Sequence, residues 1–427
     1  MDLGGLTEAL AAGQEEERPW GAPGETNGVD NGGGIGTGLV EDVYRRHGKS
    51  RQGESRRICA MLGAMVSALA QQNVEPKPAA LFASLVLALE GIAKGKQNRD
   101  DASEASVVLK RSQDEAALLY LLEEAASRMP RQAVRTKFER SVGVVCGVLG
   151  AKGAVPSEAS TSGASASRTQ CAKFGVGCLA SLLCAHDPRN FLPASKPFGV
   201  LLSFCVDPRP KVRKRAQAGL AQVLVTVGGV GSAGASLERA SAMVRDLCER
   251  SVAQLMEVTE AFETSQRTGS KREARRRFEE GVQRATMRCF HVLGALRQCV
   301  AFLSPREALD ILKTLDGLME FREVLLAHHS AVVIGHFFQG HRVRDALGAE
   351  ELASLLRGLT DRLLTIEELM ADADVAGSTL NALLAGFHAL AQMDSEACLA
   401  QVPSLLHRCL HYFRRKDSEA FRIKMCR

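Results

Sequence analysis

Residues Pro197–Leu224 read PFGVLLSFCVDPRPKVRKRAQAGLAQVL, and the way this stretch divides decides the fold. The run Phe198–Val206 is apolar and reads as one short helix. Asp207 follows, a residue whose carboxylate satisfies free N–H groups at a helix start; Pro208 and Pro210 are best tolerated in a first turn. A second helix then carries Val212, Ala216, Gly219, Leu220 and Val223 at i, i+4, i+7, i+8 and i+11. At about 100° per residue these positions share one face. Lys214 falls opposite that face with Lys211 beside it, and Arg213 and Arg215 lie on the flanks. The spacing predicts two short antiparallel helices and the turn between them.

The pattern across the turn, D-x-x-x-x-V-R-x-x-A-x-x-x-L, resembles one HEAT repeat. Cys205–Leu224 shows a closer likeness. It resembles the segment P-K-V-R-K-x-A-Q-x-G-(four residues)-L of the ribosomal RNA-processing protein twelve family. The match is sharp there and diffuse elsewhere, although the order of helical pairs, motif, long basic helix and further pairs is also similar. Members of that family are far longer, so the chain is expected to correspond to an N-terminal part. The resemblance implies a HEAT-repeat factor of ribosome assembly and pre-ribosome export in the nucleus and nucleolus. Pre-ribosomal RNA and ribosome-assembly proteins are its implied partners, with transport factors as further ones.

Composition agrees with helices. Of 427 residues, 45% are hydrophobic, enough for a large core, while aromatics are only 5%. Ala and Leu supply most of the apolar content, which suits helix-on-helix packing better than sheets. A net charge of +5 is a mild excess, so any binding of polyanions must be local. The twelve cysteines are scattered without zinc-ligand spacing and are expected to be reduced and buried. The N-terminus is acidic and carries no apolar signal core, and no uninterrupted run of 18 apolar residues suggests a membrane span.

Taken in order, residues 1–50 are rich in Gly, Glu and Asn and are expected to be a disordered tail. The glycines at Gly32–Gly38 lack a following Lys-Ser or Lys-Thr and are not a phosphate loop. Helical periods from residue 51 to 150 predict N-terminal repeats: one helix through Ile58, Leu62, Met65 and Leu69, another from Pro78, a short and a long one over 102–130, then Arg131–Leu149. Residues 151–168 are mostly Ser, Ala and Gly and are expected to be a flexible linker. HEAT-like repeats are expected over 169–427, with the longest pair at Leu237–Ser265 and Lys271–Leu303. Pair spacing of about 35–50 residues is that of HEAT or armadillo arrays. The fold class expected is all-α, a solenoid of antiparallel helix pairs. The stretch Phe421–Arg427 does not read as a polar capping repeat, so truncation at the C-terminus is expected.

No catalytic arrangement emerges, and neither cofactor, metal nor small-molecule substrate is expected. His328, His329, His336 and His341 form the densest histidine group, but no Cys or carboxylate stands at ligand spacing beside them. Glu367, Glu368, Asp372 and Asp374 read as a helix end and its loop. The cations are different. Arg209, Lys211, Arg213, Lys214 and Arg215 crowd a helix start, where the macrodipole favours anions. A break with local physics marks a candidate site, here for RNA phosphates or an acidic partner. The alternative is a HEAT repeat whose arginines reach acidic groups of the neighbouring turn. Lys211, Lys214 and Arg215 are expected to be replaceable without opening the core. A second candidate is the group Arg267, Lys271, Arg272, Arg275, Arg276, Arg277, Arg284 and Arg288 on and before the long basic helix, offset by Glu273, Glu279 and Glu280, in which Lys271, Arg275 and the pair Arg276/Arg277 are spaced as a stripe; the alternative is a solvated face laced with salt bridges. Few aromatics interleave with these cations, so contact with backbone and shape is expected rather than base stacking. The function expected is a non-enzymatic scaffold; an importin-like transport receptor or other protein-binding HEAT adaptor is the alternative.

Overall fold

The computed structural model describes residues 38–97, 105–150, 162–229, 234–267, 272–319, 323–340, 347–364 and 372–414. Among these are sixteen α-helices and no strand, as the apolar periods predict. The first seven are α1 (Gly38–His47), α2 (Gly53–Gln71), α3 (Pro78–Gln97), α4 (Ala105–Arg128), the single turn α5 (Arg131–Arg135), α6 (Phe138–Gly150) and α7 (Ser162–Ala185). The motif hairpin is α8 (Leu192–Phe204) and α9 (Pro210–Gly228). After it come α10 (Gly234–Arg267), α11 (Arg272–Cys299), α12 (Pro305–Met319), α13 (Val324–Gln339), α14 (Ala349–Leu363), α15 (Ala373–Met393) and α16 (Ser395–Arg414).

The helices form two layers. In one, α3, α6, α8, α10, α12, α14 and α16 each pack on the next; in the other, α2, α4, α7, α9, α11, α13 and α15 do the same. Sequence neighbours cross between layers as α3–α4, α6–α7, α8–α9, α10–α11, α12–α13 and α14–α15. Each pair buries its apolar faces against adjacent pairs only, which is the construction of a solenoid. One continuous core runs from Leu39 to Cys409. In α9 it receives Val212, Ala216, Leu220, Val223 and Leu224, all at 0% exposure, so the motif helix is a central rib.

Local signals explain several ends. Helix α2 stops at a residue in left-handed backbone, Asn73 at φ 56°. Asn73 N–H donates to the Ala70 carbonyl at 3.0 Å and Val74 N–H to the Leu69 carbonyl at 2.9 Å. This is the Schellman closure, in which Asn is tolerated where Gly is commonest. The expectation that Asp207 caps α9 directly is corrected. The first N-terminal flanking residue is Arg209, which makes no side-chain cap. Asp207 Oδ1 instead accepts from Arg209 N–H at 2.8 Å and shapes the turn ahead of the helix.

Other boundaries differ from the sequence reading. Gly38–His47, expected within the tail, is a helix whose Leu39 and Val43 are buried. It is tied down by Arg46, which donates to both carboxylate oxygens of Glu124 at 2.8 and 2.7 Å. Two buried apolar residues are too few to show a period. Residues 151–161 lie outside the described residues, but Ser162–Arg168, expected in the linker, form the first turns of α7. Their small side chains carry no apolar signal, yet Ser167 is buried. Residues 105–128 are one helix rather than two. Helix α8 begins at Leu192, ahead of the predicted Phe198, and includes the buried Pro197.

Helices α10 and α11 outgrow their neighbours. The start of α9 stands beside His291 and that of α13 near Phe290, whose ring meets His329 at 5.7 Å. The part of α11 before Ala285 therefore runs past both. No described side chain between residues 272 and 284 is buried. The outer half of this hairpin is an overhang, held chiefly by its own seam, where Gly281 approaches Val258.

Candidate nucleic-acid interface

The five cations of the motif turn separate into two kinds. Arg209 is folded back on Asp207, with Nε donating to Oδ1 at 2.8 Å and Nη2 to Oδ2 at 2.7 Å. Arg213 is half-buried and its Nη1 donates to the carbonyls of Asp207 at 2.8 Å and Pro208 at 3.2 Å. Arg215 reaches across the second layer to pair with Glu123 of α4. These three arginines brace the turn and join repeats. Lys211 and Lys214 are exposed on the outer face of α9. The expectation that Arg215 is replaceable without cost is therefore corrected: its partner carboxylate is buried, and burial pushes the Glu123 carboxyl up, opposed by the Arg215 guanidinium.

The Arg215–Glu123 pair crosses α7 over Gly177. A Cβ there would lie 2.5 Å from Glu123 Oε2 and 2.8 Å from Arg215 Nε, so only glycine leaves room for the strap. Lys173, one turn before Gly177, adds its positive charge to the field on Glu123.

The second candidate stripe is salt-bridged along its own helix where its side chains are described. Lys271 lies outside the described residues. Arg272 and Arg275 stand in the first turn of α11. Arg276 pairs with Glu280 at 3.0 Å and Arg277 with Glu273 at 2.7 Å, each one turn along the same helix. Of the histidine group, His341 lies outside the described residues; His329 packs edge-on against Phe290 and His328. Burial lowers the His329 imidazole to about 4. Among the described residues no three His, Cys, Asp or Glu side chains gather as a metal site. Burial also pushes the thiols of Cys248, Cys289 and Cys299 up to about 12, far from a reactive thiolate.

Two residues of the motif region escape an apolar-period reading. Gln217 is buried, and its Nε2 donates to the Cys205 carbonyl at 3.1 Å and the His291 carbonyl at 2.9 Å. One amide thus joins α8, α9 and α11. His291 Nδ1–H donates to the Val206 carbonyl at 3.3 Å. Burial first, then the Arg213 charge, lowers its imidazole to about 4. Gln217 has a sequence signal: it sits between Arg213 and Leu224 at i+4 and i−7, at the edge of the apolar stripe where exposure is least expected.

Residues 33–344 match RRP12-like, N-terminal HEAT repeats. The chain belongs to this family. An RRP12-like protein of Gallus gallus is 26% identical over 190 residues, which are 44% of this chain and 12% of that relative. An RRP12-like protein of Homo sapiens is 25% identical over the same length, with the same shares covered. The match spans only about an eighth of each curated relative. Within this RRP12-like chain the family range takes in α1 to α13 and the whole motif hairpin, while α14–α16 continue both layers beyond it. Among the described residues no helix is long and apolar enough to cross a membrane.

Proposed function

We propose that this RRP12-like chain is a non-enzymatic HEAT scaffold of ribosome biogenesis that binds pre-ribosomal RNA and assembly proteins in the nucleus and nucleolus. The observation that carries the reading is the motif helix itself. It lies inside the family range, its arginines make contacts within the fold, and Lys211 and Lys214 are exposed on its outer face. Exposed cations in the first turns of a helix are locally unfavourable, which supports a role toward an external anion. Lys211 and Lys214 give the face of α9 the sign opposite to the acidic inner helices expected of an importin-like receptor. The test is binding of purified protein to labelled pre-ribosomal RNA fragments over a range of salt. Binding whose logarithm falls linearly with the logarithm of salt concentration is expected. Absence of binding at about 0.1 M salt, where the Debye length is still about 10 Å, would remove RNA from the reading.

A further inference from the structure

The cations of the second layer can be placed relative to one another through the contacts that hold it. Arg215 of α9 lies over Gly177 of α7, and Gly219 meets Ala180, so α7 and α9 run in the same direction at this register. Lys211 is one turn before Arg215 and Lys173 one turn before Gly177. The two lysines therefore stand side by side across the α7–α9 groove. On the other flank of α9, Arg213 adjoins His291 and Gln217 adjoins Gly294, so α11 also runs in that direction. Lys214, three residues before Gln217, is on the side of α9 that faces α11. Arg288 and Arg284 are three and seven residues before His291, close to it in helical angle, and both are exposed; Arg288 Nε donates to Ser251 Oγ of α10 and Arg284 Nε to the Glu280 carbonyl, each at 3.2 Å. Arg284 belongs to the overhang and projects past the start of α9.

We infer that Lys173, Lys211, Lys214, Arg288 and Arg284 form a track that holds a nucleic-acid phosphate backbone, running transversely over α7, α9 and α11. Neighbouring helices lie about 8–10 Å apart, so the row spans roughly 20 Å, room for several successive phosphates. Three carboxylates of these helices pair with other cations: Glu123 with Arg215, Asp207 with Arg209 and Glu280 with Arg276. The overhang of α11 gives the track a wall at one end. This inference rests on the RNA-binding reading above and specifies its site and direction. It departs from the sequence expectation, because the first turn of α11 is not part of it.

The test compares three proteins on one double-stranded RNA hairpin of arbitrary sequence. The first is the parent. The second carries Lys173→Gln, Lys211→Gln, Lys214→Gln and Arg284→Gln; Arg288 is spared because its Nε donates to Ser251 Oγ at 3.2 Å. The third carries Arg239→Gln, Arg250→Gln, Arg306→Gln and Lys313→Gln, four exposed cations of the other layer, and so has the same net charge as the second. Circular dichroism melts establish that all three are folded. The row variant is expected to bind at least about tenfold more weakly at physiological salt, with a log–log salt slope shallower by roughly two to four, while the other-layer variant stays near the parent. A parent that binds RNA and a row variant with the same affinity and slope would overturn the track and leave the RNA reading standing. Equal loss in both variants would overturn it as well, since net charge alone would then be responsible. A parent that binds no RNA would overturn both.

Discussion

Leu220 is wholly buried on the motif helix, and Ala216 stands one turn before it in the same state. Leu220→Ala should cost about 2–5 kcal/mol in a chemical denaturation, as deletion of core methyl groups does where neighbours cannot close in. Ala216→Asp should cost more, because it places a charge at a wholly buried position. At the Glu123–Arg215 strap the asymmetry is sharper. Arg215→Gln leaves a buried carboxylate without its cation, and losses of about 3–5 kcal/mol accompany such broken pairs. Lys211→Gln and Lys214→Gln, on the exposed face, should leave the denaturation midpoint within about 0.5 kcal/mol of the parent. His291 supplies a pH signature. Its folded-state imidazole titrates near 4 against 6.5 for the free side chain. The unfolded chain therefore binds the proton first on acidification. Stability due to this group is complete above about pH 6.5 and is lost as pH falls toward 4, by about 1–3 kcal/mol. Urea midpoints across that window should fall less steeply for His291→Asn than for the parent.

Between elements, the tightest approach in the motif region is α7 against α9. A Cβ on Gly219 would stand 2.7 Å from the Ala180 Cβ. Gly219→Ala must separate these two ribs, and overpacking of this kind costs about 1–3 kcal/mol. A Gly219→Ala protein melting with the parent would show that the two helices are not locked at this point. At the join between α6 and α7, the Ser/Gly/Ala composition of residues 151–161 motivates a proteolytic expectation. Brief digestion should cut there or ahead of α1, and not inside Pro197–Leu224. Early cuts in the motif hairpin, with 151–161 intact, would contradict this layout. The α10–α11 overhang belongs to the same scale. With no described side chain buried between residues 272 and 284, its amides should exchange with solvent before those of residues 285–299 on the same helix.

Across the whole molecule, much was legible from periodicity. The helix pairs, the absence of strands among the described residues and the inward faces of Val212, Ala216, Leu220 and Val223 follow from apolar spacing. Such spacing is a local property, set by a repeat of 3.6 residues that any window of the chain displays. The reading failed where burial rests on few or small side chains, as at Leu39 and Val43 of α1 or Ser167 of α7. It also ran two charge environments together. Arg209–Arg215 is a uniform basic cluster in sequence, but Arg215 meets a carboxylate 92 residues away and Arg213 is taken by turn carbonyls. Which cations remain for a partner is decided by what the fold brings within hydrogen-bond reach. The sequence by itself therefore determined the helices, their pairing and the position of the motif, because these depend on neighbours along the chain. Only the tertiary structure tied Arg209 to Asp207, Arg213 to the turn carbonyls and Arg215 to Glu123, because a side chain's electrostatic partners are neighbours in space.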